Sequence, residues 1–197
     1  MLIDHVGAVL FPGEMTFRYI GRIAFPIFCF LLVEGFHHTR DVKKYLMRLA
    51  GFALISEIPY DLAFRNTLFE IEHQNVFFTL FLGVFLMHML EKYTEITVKT
   101  AWIILVMWAS TALACDYTYK GILLILVYYF LRDFKAGAAS FGALWNFAWG
   151  NSTQYYGAFS SIFIAFYNGK KGKGIKYFFY IFYPVHLLIL YGINVIF

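Results

Sequence analysis

The chain has 197 residues, of which 61% are hydrophobic and 22% aromatic against 14% charged, with a mean hydropathy of +0.65. Soluble domains carry about a quarter charged residues, so this composition excludes an ordinary soluble enzyme and predicts a polytopic helix bundle that shows its apolar surface to a lipid bilayer. Continuous apolar runs without dyad alternation exclude a transmembrane barrel, and the net charge of +4 is assigned to basic cytoplasmic loops, with no nucleic-acid partner.

Residues 1–11 predict a first helix stopped by Pro12-Gly13. At 1.5 Å per residue it covers about half of a bilayer core that takes roughly 20 residues to cross, so it is expected to be short or truncated at its front. Asp4 and His5 interrupt the apolar run and no basic residue precedes it, so no signal peptide is expected. Further spans are predicted over 19–38, 45–64, 75–90, 100–115 and 121–131. Two weaker ones follow over 136–149 and 156–167, and a last one over 175–197. The expected fold is therefore all-α: a transmembrane bundle of about nine helices, one domain over 1–197.

Basic residues orient it. With the N-terminus inside and nine crossings, Arg40, Lys43, Lys44, Lys92, Lys99, Arg132, Lys135, Lys170, Lys171, Lys173 and Lys176 fall on cytoplasmic loops. Only Arg18, Arg65 and Lys120 fall outside. Cys29 and Cys115 lack metal-ligand spacing and read as small core residues.

Intramembrane charges are costly and mark function by default. An outer layer holds Asp4, His5, Arg22, Glu57, Asp61, His73, Asn75 and Asp116, with His186 near the middle of the last span. Neighbours on a helix diverge by about 100°, so Asp4 is poorly placed to orient His5, whose partner should come from another helix. Glu57 and Asp61, one turn apart, share a face and call for a cation between them, for which Arg22 is the candidate. The competing reading of these three is an ion-pair network that only fixes packing. Pro26, Pro59 and Pro184 each free the carbonyl four residues earlier and hint at a polar cavity; plain bends are the alternative.

The inner layer is a cationic ledge of Arg40, Lys43, Lys44 and Arg48 beside Tyr45, suited to phosphates; snorkelling side chains are the competing account, except at the deeper Arg48. Glu34, His37 and His38 share a helix face but lack a fourth ligand at diagnostic spacing, so no metal is expected.

The segments MLIDHVGA, RYIGRIAFPIFCFLLVEGFHHTRDVKKYLMRL, LISEIPYDLAF, EHQNVFFTL, ACDYTYKGILLIL and FFYIFYPVHLLILYGI together resemble the TraX family, whose founding member is a conjugal transfer protein that acetylates the pilin N-terminus. AFPIF and YPVHL are also similar to segments of the wider membrane acyltransferase superfamily. The resemblance implies an enzyme of the bacterial cytoplasmic membrane that moves acetyl from acetyl-CoA to an amine or hydroxyl acceptor on a pilin, peptide or glycan. His5 is then the base, with Asp4 from the same DH motif. Arg22, Glu57 and Asn75 are the accompanying catalytic positions, and Asp61, His73, Asp116 and His186 lie toward the acceptor. Arg40, Lys43, Lys44, Tyr45 and Arg48 would receive the CoA phosphates. Two other classes stay open: a small proton-coupled transporter using the same groups, and a non-catalytic membrane assembly protein.

Overall fold

The computed structural model describes residues 1–150, 152–170 and 176–196. Ten α-helices follow one another: α1 (Leu2–Val9), α2 (Met15–Gly21), α3 (Ala24–His38), α4 (Val42–Arg65), α5 (Val76–Lys92), α6 (Ile96–Ala112), α7 (Thr118–Phe130), α8 (Lys135–Ala148), α9 (Ser160–Ala165) and α10 (Lys176–Ile196), with a 3-10 segment (Ser152–Phe159) leading into α9. Among the described residues there is no strand, only an isolated parallel bridge between Gln74 and Cys115. Helices α2 and α3 form one broken rod, and the 3-10 segment joins α9. The helical rods therefore fall where the sequence predicts its nine, each end within a few residues. Lys171, Lys173 and residues 175 and 197, which entered the loop charges and the last expected span, lie outside the described residues.

The break between α2 and α3 has a local cause. Pro26 stands in the first turn of α3 and has no N–H to offer the Arg22 carbonyl, so the helix cannot run through. Arg22 is left at the bend. Helix α4 starts because the Asp41 side chain accepts the Lys44 backbone N–H at 3.0 Å, an N-cap that also holds the Asp41 carboxyl below the usual carboxylate range. Asn66, in the left-handed conformation, ends it.

Packing places α1 against α2 and α10, and α4 against α5 and α10, with α7 between α3 and α6. The polarity of two of these helices is inverted relative to a soluble fold. On α1, Asp4 and His5 are buried while Leu2 and Ile3 are exposed; on α4, Glu57 and Asp61 are buried while Leu54, Ile55 and Ile58 face outward. Water would penalise both faces, whereas hydrocarbon favours this arrangement. One helical stretch among the described residues, Met15–His38, is long and apolar enough to cross a membrane by itself.

Candidate active site

His5 lies in a box of rings. Phe64 of α4 and Tyr183 of α10 meet its ring in T-shaped contacts, nearly at right angles, with centroids 5.3 and 5.8 Å away. Its Nδ1 is 2.7 Å from Nε2 of His186 on α10, so the partner does come from another helix. Nδ1 of His186 is in turn 2.7 Å from the Phe182 carbonyl oxygen one turn back. The two imidazole planes are 10° apart, and both residues are at least nine-tenths buried.

Beside this pair opens a chamber of about 170 Å³, lined by His5, Asp4, Arg18, Arg22, Asp116 and Tyr117 together with Tyr60, Tyr183 and other apolar neighbours. Asp4 turns away from His5 toward α2: its Oδ2 accepts from Arg18 Nη1 at 3.0 Å, while Arg22 Nε stays 4.0 Å from Oδ1. Arg22 donates through Nη1 to the Tyr117 hydroxyl over a long 3.4 Å, and its Nε has no hydrogen-bond partner. A guanidinium so loosely held keeps donors for a ligand. The close approach of α1 to α2 depends on Gly21, where a Cβ would stand 2.6 Å from Asp4 Cα.

The wall carrying Asp116 and Tyr117 is a strained turn. Ala114, Tyr117 and Thr118 all have left-handed φ, at 49°, 67° and 45°, which non-glycine residues seldom adopt and a β-branched one almost never. The surroundings hold it in place. Gln74 donates its N–H to the Ala114 carbonyl at 2.9 Å and accepts from the Asp116 N–H at 2.8 Å; the Thr79 hydroxyl donates to the Asp116 carbonyl; and the Tyr117 ring stacks on Phe25 at 3.5 Å. Two loops far apart in sequence thus aim one carboxylate and one phenol at the chamber.

Other expected residues sit elsewhere. The Asn75 side chain caps α5 by accepting the Phe77 N–H at 3.0 Å, and its amide donates to the Ala53 carbonyl and to Glu57 Oε2. Its donors are used in packing α4 on α5, not in the chamber. Glu57 is therefore partnered by Asn75, and Asp61 by the Glu70 backbone N–H at 2.8 Å; Arg22 pairs with neither carboxylate, because Gly21 carries it to α1. His73 is exposed in the loop after α4, and His186 stands behind His5 and does not line the chamber. Replacing Asn75 with leucine would strand the Ala53 carbonyl and Glu57 in a buried site and remove a cap. The expected loss is about 2–4 kcal/mol, read from thermal unfolding in detergent.

On the inner side, Arg40 and Lys43 are exposed and Lys44 is tied to Asp41 at 3.4 Å. The Arg48 guanidinium sits 5.6 Å over the Tyr45 ring and against the Tyr180 hydroxyl, with its buried Nε unpartnered. Tyr180 also lines an apolar slot of about 110 Å³ with Phe77 and Leu80; Met1, Phe28, Val76 and Tyr183 border both this slot and the chamber. Of its lining residues, Tyr180 meets Arg48 and Tyr183 meets His5. Glu34 is held by Arg132 at 3.1 Å, His38 by the Glu34 carbonyl and His37 faces Glu91 at 3.9 Å, so these three side chains go to separate partners.

Sequence reasoning missed Arg18, Tyr117, Tyr60 and Tyr183. Arg18 could have been found: it stands one turn before Arg22 on the same face. Tyr117 lies inside the ACDY segment, but with 15 tyrosines in the chain nothing local singles it out.

Over residues 1–194 the sequence matches the family described as TraX protein. It is 31% identical over 220 residues to the "Probable fimbrial assembly protein FimC, serogroup H1" of Dichelobacter nodosus, covering 96% of this chain and 89% of that one. It is 34% identical over 83 residues to "Uncharacterized protein RP591" of Rickettsia prowazekii (strain Madrid E), covering 42% of this chain and 30% of that protein. No solved structure matches.

Proposed function

The chain belongs to the TraX family, and from that membership and the chamber beside His5 we propose that it is a membrane acetyltransferase that moves acetyl from acetyl-CoA to an amine or hydroxyl acceptor. The single observation that carries this reading is a buried histidine whose Nε2 has no hydrogen-bond partner among the described residues, set at the wall of a cavity that also holds a loosely tied arginine.

The chemistry follows from these positions. The acceptor nitrogen or oxygen attacks the thioester carbonyl while His5 Nε2 takes its proton, general-base help worth roughly 10²–10⁴-fold. Negative charge then grows on the carbonyl oxygen, where Arg22 and the Tyr117 hydroxyl supply donors. Collapse breaks the C–S bond and the thiolate takes up the proton from His5, leaving an acetamide or acetate ester and CoA.

The donor would enter along the apolar slot, whose lining suits the pantetheine arm, with its phosphates at Arg48 and the exposed Arg40 and Lys43. The inverted polarity of α1 and α4 supports a membrane location, and the run of basic residues on that ledge is the support for setting it on the cytoplasmic side. The fimbrial name of the Dichelobacter relative fits a pilin or another envelope component as acceptor.

Purified full chain in nanodiscs, given labelled acetyl-CoA and a pilin-type peptide with a free N-terminus or an amino sugar, tests the reading. Transfer to one acceptor is expected; failure to bind acetyl-CoA at all would remove it. Within the same assay Arg48→Ala should weaken acetyl-CoA binding about tenfold, because it removes a charge-assisted phosphate contact, while Lys92→Ala should leave it unchanged.

A further inference from the structure

We infer that His186 is a positioning residue that fixes the tautomer of His5, so that Nε2 of His5 is a lone pair facing the chamber and not an N–H. This goes beyond the proposed transfer reaction and rests on it only for the role of His5.

The argument runs backward from an atom of known character. The Phe182 carbonyl oxygen can only accept, so the His186 Nδ1 held 2.7 Å from it carries a hydrogen. A neutral imidazole protonated at Nδ1 has a lone pair at Nε2, and that nitrogen lies 2.7 Å from Nδ1 of His5. A hydrogen bond there needs the His5 nitrogen to donate. The second nitrogen of His5 is then unprotonated. Orientation of a catalytic imidazole is usually done by a carboxylate; here a main-chain oxygen does it through an intervening ring. Among the described residues no carboxylate hydrogen-bonds either imidazole, and the surrounding Phe64, Phe182 and Tyr183 rings offer a cationic pair no counter-charge.

The arrangement has a direction. A carbonyl cannot take a proton, so one that arrives at His5 Nε2 has no exit through His186 and must return to the chamber. A base that hands its proton to a departing thiolate needs that return, and a through-going relay forbids it. The same feature speaks against the proton-transporter alternative.

The test uses full chain labelled with ¹⁵N-histidine in nanodiscs, the His5 ring signals being identified by their loss in His5→Ala. Wild type should show His5 protonated at Nδ1 and bare at Nε2. His186→Leu should move the proton to Nε2 in most molecules, and lower kcat about 10–100-fold with KM for acetyl-CoA within about twofold. His186→Gln, whose side-chain oxygen can still accept from Nδ1, should keep the wild-type His5 signals and most of the rate. A wild-type His5 protonated at Nε2, or a tautomer unmoved by His186→Leu, overturns the inference. Full transfer by His5→Ala would instead remove the base reading and leave the tautomer result standing.

Discussion

His5→Ala should lower acetyl transfer by roughly 10²–10⁴-fold while leaving acetyl-CoA binding within about twofold. The size follows from what remains: Arg22, Tyr117 and the cavity would still hold a thioester and an acceptor, but the attacking group would have to shed its proton to water in a site walled by Phe64 and Tyr183. The binding half follows from separation, since the candidate phosphate-binding residues lie in the first turns of α4 and just before it and none of them lines the chamber. Single-turnover transfer together with equilibrium binding of labelled acetyl-CoA separates the two. A variant that transfers at the wild-type rate would take His5 out of the chemistry.

Gly21→Ala should be the most damaging change of a single methyl group. The new Cβ would stand 2.6 Å from Asp4 Cα, an atom of the backbone that cannot swing aside, and would overlap the Asp4 side chain as well. Either α1 leaves α2 or the bend at Arg22 opens. Overpacking of this kind costs about 3 kcal/mol at its upper end, and here it also pulls His5 from His186, so transfer should fall with stability. Gly51→Ala is the control: within α4 it meets nothing within 4 Å, and the gain in helix propensity should raise stability by about 0.5–1 kcal/mol. Thermal unfolding of both variants in one detergent checks the pair; equal midpoints would mean that the α1–α2 contact is looser than drawn.

The helices were legible because apolar runs and their breakers dominate this sequence. Pro12-Gly13 sets off α1 and Asn75 stands where α5 begins, while the Asp41 cap starts α4 at Val42, ahead of the expected 45. The gathering of Asp4, His5, Arg22 and Asp116 in one layer was legible as depth, since charges within apolar runs can be ranked by their distance from helix ends. Pairings were not. Nothing near Arg22 in the chain says that Gly21 presses it toward α1 and away from Glu57. Nor does any local signal say that the Asn75 amide is used by Ala53 and Glu57. Depth places His186 only near the middle of the last span and does not reveal which face of α10 it occupies, so the sequence cannot separate an acceptor contact from the ring behind His5.

The hydrogen bond between His5 and His186 joins residues 181 positions apart, one on the first helix and one on the last. During synthesis His5 is therefore without its hydrogen-bond partner until nearly the whole polypeptide has left the ribosome and the final segment has docked. Tyr183, part of the chamber wall, arrives on that same segment, so a chain interrupted before it would lack both one wall of the cavity and the ring that meets His5.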